Sequence, residues 1–464
     1  MRVHLIGVCG TAMATLAALL QRRGHDVQGS DQHIYPPMSD FLRAEGIRLL
    51  DGYRAEHITP DLDLVVVGNA ISRGNAELET VLDRRVRYCS LPEAVREHFL
   101  RDAQPVVLAG THGKTTTTAL TAWLLTAGGL DPSLLVGGIA KNFGDGGTSY
   151  QLGAGPHFVI EGDEYDSAFF DKTAKFLKYL PQVAVIGNVE FDHADIYADL
   201  AAVQLAFRRL VNLVPRSGLL LLGADDDGAS GLRPFAVSPA ETFGLSDGAD
   251  WQAVGVSARD GRTRFTVRHG GRPFGDFESP LLGHHNVRNA LAAIAVGHWA
   301  GLTAPVLAAG LASFAGIKRR LEVVGQARGV TVIDDFAHHP TAVRETLAAL
   351  RSGYPDRRIW AVFEPRSASS CRRVFQDAFA EAFGEADETI VAAVYRSSLP
   401  EAERLDAEQL VADLSARGGR ARYVPDVPAI VATIGAEARE GDVVIVMSNG
   451  GFGGIHGLLL AALR

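Results

Sequence analysis

Residues 108–120 read LAGTHGKTTTTAL, entered by the apolar run Val106-Val107-Leu108 and followed by a helix-forming run over 119–125. A strand that turns through glycines straight into a helix commits the chain to a layered α/β arrangement. The turn also presents the unmatched N–H groups of a helix start, where the macrodipole favours an anion. Gly110, Thr111, His112 and Gly113 would cradle phosphate, with Lys114 reaching the outer phosphates of a nucleotide. Thr115 would offer its hydroxyl to Mg2+, and Thr116 belongs to the same set. The standard loop has a glycine five places before Gly113, and Leu108 stands there, so this loop is a shortened form.

Two further segments start the same way. The first runs from a strand at 3–6 through GVCGTAM into a helix at 12–21, then a second strand ending at Asp31. Its G-x-G-x-x-G fingerprint is incomplete, with Gly7 and Gly10 alone, which weakens a dinucleotide-dependent oxidoreductase. GVCGTAM either binds a pyrophosphate or makes a tight strand–helix connection. A strand at 64–67 then enters GNAISRGN. In the second segment, strands at 158–160 and 183–186 run into EGDEYD (161–166) and NVEFDH (188–193), at the strand ends where open α/β sheets bind ligands. After DDDG (225–228) the texture becomes alternating, as in TRFTVRH, which predicts antiparallel hairpins before a helix in GHHNVRNALAAIAVGHWAG. The third segment alternates the strands TVIDD, IWAVFEP and VVIVMS with helices at 341–351, 372–383 and 405–417. The expected fold is three α/β domains: a Rossmann-like domain over 1–104, a central P-loop ATPase-type domain over 105–319, and a second Rossmann-like domain over 320–464.

A formal net charge of −9 argues against a general nucleic-acid binder, and no apolar run approaches a bilayer span. The N-terminal apolar run is too short for a secretory signal. Cys9, Cys89 and Cys371 form neither a disulfide framework nor a CxxC pair, so a cytoplasmic protein is expected. At the ligand edge, Thr115 and Glu161 make a natural oxygen pair for Mg2+. His193 is a softer ligand and would imply a second metal position. Asn286 and Asn289 lie one turn apart on a helix face. Arg319-Arg320 is either a guanidinium clamp for phosphate or a basic hinge. The paired acids and histidines of Asp334 to Pro340 are either functional or a helix cap.

The ordered set AGTHGKTTT, E-x-D-E, N-x-E-x-D-H, HN-x-x-NA, RR and DD-x-x-HHPT resembles the Mur ligase superfamily over essentially the whole chain. That resemblance implies an ATP-dependent, Mg2+-dependent ligase that extends UDP-N-acetylmuramate by an amide bond through an acyl phosphate. Two branches use this acceptor: one adds L-alanine in biosynthesis, the other the tripeptide L-Ala-γ-D-Glu-meso-diaminopimelate in peptidoglycan recycling. The chain reads GVCGTAM rather than GIGGAGM, EGDEYDSAFFDK rather than EADESDASF, and DFAHHPT rather than DYGHHPT. It also reads FEPRSASSCRR where the alanine branch has PHR-x-x-R, so Ser367 and Ser370 replace two arginines and Arg366 stands earlier. These differences favour the tripeptide.

By position, the resemblance implies that Lys114 binds the β- and γ-phosphates while Thr115, Glu161 and His193 hold metal. Asn286 and Asn289 would contact the nucleotide, Arg320 the phosphates and Asp335 the ribose. Gly10, Thr11, Ser30, Asp31 and Ser72 would surround the UDP-sugar. His338, Arg366, Ser448 and Asn449 would face the peptide, with His338 or Asp335 helping the amine lose its proton. Some members bridge a second metal with a carbamylated lysine; residues 200–214 contain no lysine. No nucleic-acid or membrane partner is expected, and a monomer and a weak dimer both stay open. The different-class alternative, a P-loop ATPase or small-molecule kinase, would leave DD-x-x-HHP and the third segment's strands without a role.

Overall fold

The computed structural model describes residues 1–464 apart from 36–37, 260 and 396–398. Three large sheets organise a three-domain α/β architecture. The first is five-stranded, in the order Arg48–Asp51, Asp26–Asp31, Arg2–Ile6, Leu64–Val67, Tyr88–Ser90, with every pairing parallel. Its first crossover is the helix Thr11–Arg22, whose residues from Met13 to Leu20 are buried. Parallel strands covered on both faces need continuous apolar runs, which LVVV at Leu64–Val67 supplies.

The second sheet carries Gln104–Ala109 between Val183–Ile186 and His157–Gly162, all parallel. Beyond Val183–Ile186 come Leu219–Gly223 and Ala240–Gly244, also parallel. Antiparallel texture therefore starts later than DDDG suggests: residues 225–228 lead into the short helix Asp227–Ser230, and the meander is Trp251–Arg259, Arg262–His269 and Arg272–Ser279. The hairpin Ser133–Ala140/Thr148–Gln151 had no legible signal, because SLLVGGIA carries two glycines inside the strand.

The third sheet has the order Glu322–Ala327, Val330–Asp335, Val443–Met447, Ile359–Phe363, Glu388–Val391, Ala421–Tyr423, with only the first pairing antiparallel. Alternation assigns its side chains to two cores. Val443, Ile445 and Met447 join Phe363 and Phe379 on one face, while Val444 and Val446 join Trp360, Ile434 and Leu459 on the other. The helix expected over 372–383 is shorter: a 3-10 turn at Arg373–Phe375 precedes Gln376–Ala382.

Contacts group the chain into two compact units. One holds Met1–Val189, Ala201–Phe243 and Ala292–Thr303; the other holds Glu190–Leu200, Gly244–Leu291 and Ala304–Arg464. Among the described residues no helix is long and apolar enough to cross a membrane.

In the third sheet, buried Asp442 accepts from Arg358 Nη2 (2.6 Å), Trp360 Nε1 (3.0 Å) and the Arg439 N–H (2.9 Å). Replacing it removes the carboxylate of the Arg358 ion pair and the acceptor of the buried Trp360 indole N–H at once. Asp442→Ala should therefore cost about 2–3 kcal/mol, read as a fall of several degrees in thermal unfolding, with Asp442→Asn losing less.

Candidate active site

The phosphate loop leaves the strand Gln104–Ala109 at Gly110, whose φ of +134° only glycine adopts readily. A side chain there would also press on the backbone of Gly187 and Asn188, 3.1–3.2 Å away. Asn188 then fixes the loop with both ends of its amide: Oδ1 accepts the His112 N–H (2.7 Å), and Nδ2 donates to the His112 carbonyl (3.3 Å). The Asn188 carbonyl accepts the Thr111 N–H (3.0 Å). Gly113, left-handed at φ +79°, caps the helix Lys114–Ala127, and Thr115 and Thr116 lie buried in its first turn. Asn188 opens the N-x-E-x-D-H motif, yet only the fold brings its amide to the loop.

Lys114 folds over that loop. Its Nζ donates to the carbonyls of Gly110 (2.8 Å) and Thr111 (3.2 Å) and to the Glu164 carboxylate (2.8 Å). Burial by itself would lower the Lys114 pKa, but Glu164, Asp163 and Glu161 reverse this and hold the group above the ordinary lysine range. Thr115 Oγ1 donates to Glu161 Oε1 (3.1 Å), and Gly137 N–H donates to Glu161 Oε2 (2.7 Å). These hard oxygens on a helix N-terminus fit Mg2+ and a polyphosphate. Sequence reasoning passed over Glu164 and Gly137, because E-x-D-E does not say which acid turns to the lysine.

The candidates of the first sheet also lie in the first unit. Gly10 is the N-cap of the helix that Thr11 begins, and Thr11 is exposed. Asp31 accepts the N–H groups of Cys9 (2.9 Å) and His33 (3.2 Å), which shapes the glycine turn. Ser72 is exposed in the turn after Leu64–Val67. Ser30 instead faces inward, with Oγ donating to buried Glu77 (2.5 Å). Glu77, not foreseen, also contacts His4 (3.1 Å) and His57 (2.5 Å). Burial pushes its carboxyl up, but the His4, Ser30 and His57 contacts bring it below the usual range.

The remaining candidates lie in the second unit. His193 has φ +52°, and its N–H is shared between Asp192 Oδ1 (2.7 Å) and Ser369 Oγ (3.2 Å). Burial raises the Asp192 pKa, but His193, His338 and His339 outweigh it and keep the carboxylate ionised. His338 Nδ1 lies 2.9 Å from the Phe336 carbonyl. Asp335 uses both oxygens internally, accepting Leu321 N–H (2.7 Å), Ala337 N–H (2.8 Å) and the Thr346 hydroxyl (3.3 Å); burial nevertheless raises its pKa. Arg320 stacks on Phe336 with its guanidinium carbon 4.9 Å from the ring centre. Its neighbour Arg319 is a strap, donating to Asp334 (3.2 Å) and to the carbonyls of Ser448 and Gly450 (both 2.7 Å).

Asn286 Nδ2 donates to the Leu282 carbonyl (2.8 Å), and Asn289 Nδ2 donates to Asn286 Oδ1 (3.1 Å), so the two amides do share a face. The Arg366 guanidinium carbon lies over Tyr395, 3.7 Å from the ring centre, with Nη1 3.4 Å from Glu364, and a Cβ at Gly450 would meet the guanidinium in this position. Ser448 Oγ donates to Glu364 (2.5 Å) and accepts the Gly450 N–H (2.9 Å). The buried Asn449 Oδ1 accepts no hydrogen bond from the described residues.

Two outcomes follow from the first unit. Gly110→Ala should lower ATP affinity and turnover together, by roughly tenfold or more given the strain and the contact with 187–188, measured by nucleotide titration and phosphate release. The charges of Lys175 and Lys114 outweigh burial and lower Asp163 to about 2, and the Lys175 ion pair measures 2.6 Å. A folded pKa below the unfolded value of about 3.9 means stability present above pH ~4 and lost as pH falls toward 2. Lys175→Ala should therefore unfold more easily than wild type at pH 5, with the gap narrowing by pH 3.

Three family profiles cover this chain in order: the Mur ligase family catalytic domain over residues 2–102, the Mur ligase middle domain over 108–297, and the Mur ligase glutamate ligase domain over 319–450. The UDP-N-acetylmuramate–L-alanyl-γ-D-glutamyl-meso-2,6-diaminoheptandioate ligase of Escherichia coli is 41% identical over 464 residues, covering 100% of this chain and 98% of that one. Its counterpart in Haemophilus influenzae is 40% identical over 467 residues, covering 100% and 99%. The crystal structure of a murein peptide ligase from Psychrobacter arcticus superposes with a TM-score of 0.72 at 37% identity, covering 100% of this chain and 98% of that one. With relatives this similar over the full length, and with the phosphate loop, acidic cluster and three sheets described above, the chain belongs to the Mur ligase family.

Proposed function

We propose that this enzyme is a ligase that uses ATP to join the tripeptide L-Ala-γ-D-Glu-meso-diaminopimelate to UDP-N-acetylmuramate, in cytoplasmic peptidoglycan recycling. The observation that carries the reading is the oxygen pair of Thr115 and Glu161 beside Lys114 at one helix start. The names of the 40% and 41% identical relatives supply the acceptor and the peptide. The acceptor sugar is assigned to residues 1–104, the nucleotide to 105–319 and the peptide to 320–464.

A carboxylate is a poor acyl donor because its leaving group is oxide. In the proposed reaction the muramate carboxylate attacks the γ-phosphorus of ATP, ADP leaves, and an acyl phosphate forms. The peptide α-amine then attacks the acyl carbon, phosphate leaves, and the amide is complete. Lys114 offers charge to the transferring phosphoryl, and the N–H groups at the start of the helix Lys114–Ala127 orient it; those of Thr111 and His112, expected to cradle phosphate, are instead held by Asn188. Thr115 and Glu161 would hold Mg2+, which would neutralise phosphate charge, and His193, in the second unit, would be a ligand at a second metal position. Asn286 and Asn289 would contact the nucleotide, Arg320 its phosphates and Asp335 its ribose.

Gly10, Thr11, Ser72 and Asp31 shape the UDP-sugar site, with Ser30 supporting it through Glu77. Arg366, stacked over Tyr395, would offer its guanidinium to a peptide carboxylate, and Ser448 and Asn449 would border it. With Nδ1–H donating to the Phe336 carbonyl, His338 keeps Nε2 as its accepting nitrogen, suited to take the amine proton. Asp335 already accepts three hydrogen bonds, so it serves the loop better than the proton.

Phosphate release with ATP and UDP-N-acetylmuramate should depend on the tripeptide, with the adduct confirmed by mass. Turnover with L-alanine alone would make this the biosynthetic ligase, and turnover without any peptide product would make it an ATPase or kinase. Arg366→Ala should raise KM for the tripeptide roughly tenfold or more, since a buried or stacked charge-assisted pair contributes about 1.5–3 kcal/mol.

A further inference from the structure

The serines of FEPRSASSCRR do not line an open pocket. Ser367 and Ser370 are buried and bond to each other: Ser370 Oγ accepts the N–H groups of Arg366 and Ser367 (both 2.9 Å), and Ser367 Oγ accepts the Ser370 N–H (2.8 Å). The Cys371 N–H closes the turn on the Ser367 carbonyl (3.2 Å). What this turn presents is Ser369, itself 2% exposed. Its hydroxyl donates to Asp192 Oδ1, and its oxygen accepts the His193 N–H at 3.2 Å. The same Asp192 oxygen accepts that N–H at 2.7 Å, so the three groups form a closed cycle.

Other contacts in this unit hold the residues before the pair. Thr341 Oγ1 donates to Glu190 (2.6 Å), His339 Nε2 lies 3.3 Å from the Phe191 carbonyl, and the Phe375 ring stacks on Phe191 with centres 6.2 Å apart. Ser369 reaches one step further, to the backbone of His193 itself. That residue has φ +52°, a left-handed conformation that a non-glycine residue keeps only when its surroundings impose it. After His193 the chain turns at once, since its carbonyl accepts the N–H groups of Ile196 (2.8 Å) and Tyr197 (3.0 Å).

We propose that Ser369 is a positioning residue for His193: its hydroxyl, shared between Asp192 and the His193 N–H, sets the left-handed turn that aims the His193 imidazole. The serine sits on the same turn as Arg366, so the loop assigned to the peptide also shapes a residue assigned to the metal. Removing the hydroxyl takes one of the two described acceptors from the His193 N–H and one donor from Asp192. The proposal rests on the reading of His193 as a metal-site residue.

The test compares wild type, Ser369→Ala and Ser369→Thr. Turnover is measured with ATP, UDP-N-acetylmuramate and tripeptide, and Mn2+ binding to the ADP-loaded enzyme is titrated by electron paramagnetic resonance. Ser369→Ala should lower kcat roughly 10- to 100-fold, the scale of a small misplacement at a reacting centre, with KM for ATP and sugar moved less than about threefold. It should also weaken Mn2+ binding several-fold, and Ser369→Thr should restore both readouts. Wild-type kcat and Mn2+ affinity in Ser369→Ala would overturn the proposal, as would a loss that Ser369→Thr leaves unrepaired. If Ser369→Ala yields no folded protein, Ser369→Cys, which keeps the volume and weakens the donor, takes its place. A wild-type enzyme that makes no tripeptide adduct would refute the proposed function, while the Mn2+ titration would still decide the role of Ser369.

Discussion

Backbone approach between the end of Gln104–Ala109 and residues 187–188 governs the nucleotide side of this protein. Parallel pairing with Val183–Ile186 brings the two strand ends level, and only a residue without a Cβ fits at position 110. The Asn188 amide then replaces a missing stretch of backbone, matching both the N–H and the carbonyl of His112. A loop that would otherwise carry unmatched polar groups is satisfied from the neighbouring strand. This explains how the shortened loop, with Leu108 in place of the usual glycine, still delivers Lys114 and Thr115 to a helix start.

Charge is arranged locally and against the sign of the whole chain. A protein of net charge −9 has a phosphate site in which one lysine is embedded among acids. Glu164 holds the ammonium in place, and Glu161 keeps its oxygens beside Thr115 because Gly137 and Thr115 both donate to it. In the second unit the logic is inverted: one buried carboxylate, Asp192, stands among three histidines. Both arrangements keep ionised groups out of bulk water, whose high dielectric would weaken their fields.

Much of the secondary structure was legible, and the reasons are local. Val3 to Ile6, Leu64–Val67 and Val183–Ile186 are short apolar runs closed by glycine or polar residues, and they are strands. The helix after Gly113 starts where the glycine permits a left-handed cap. Less legible were SLLVGGIA, which hides a strand behind two glycines, and Glu388–Val391, whose pattern is too short to carry a period. The resemblance implied ligand contacts for Ser30 and Asp335 by position, and here the Ser30 hydroxyl donates to Glu77 while Asp335 accepts backbone N–H groups, partners that position alone does not give. The end of a strand tells where a residue lies, not which way its side chain turns.

The amino-acid sequence alone therefore determined the order of strand, glycine turn and helix, the phosphate loop and the acids at the strand ends, since each follows from steric and hydrogen-bonding rules acting within a few residues. The tertiary structure decided which of those groups meet: Lys114 with Glu164, Asn188 with His112, and Ser369 with Asp192, a pair 177 positions apart. Such contacts depend on how separate elements pack, and no local propensity encodes a partner that lies far along the chain.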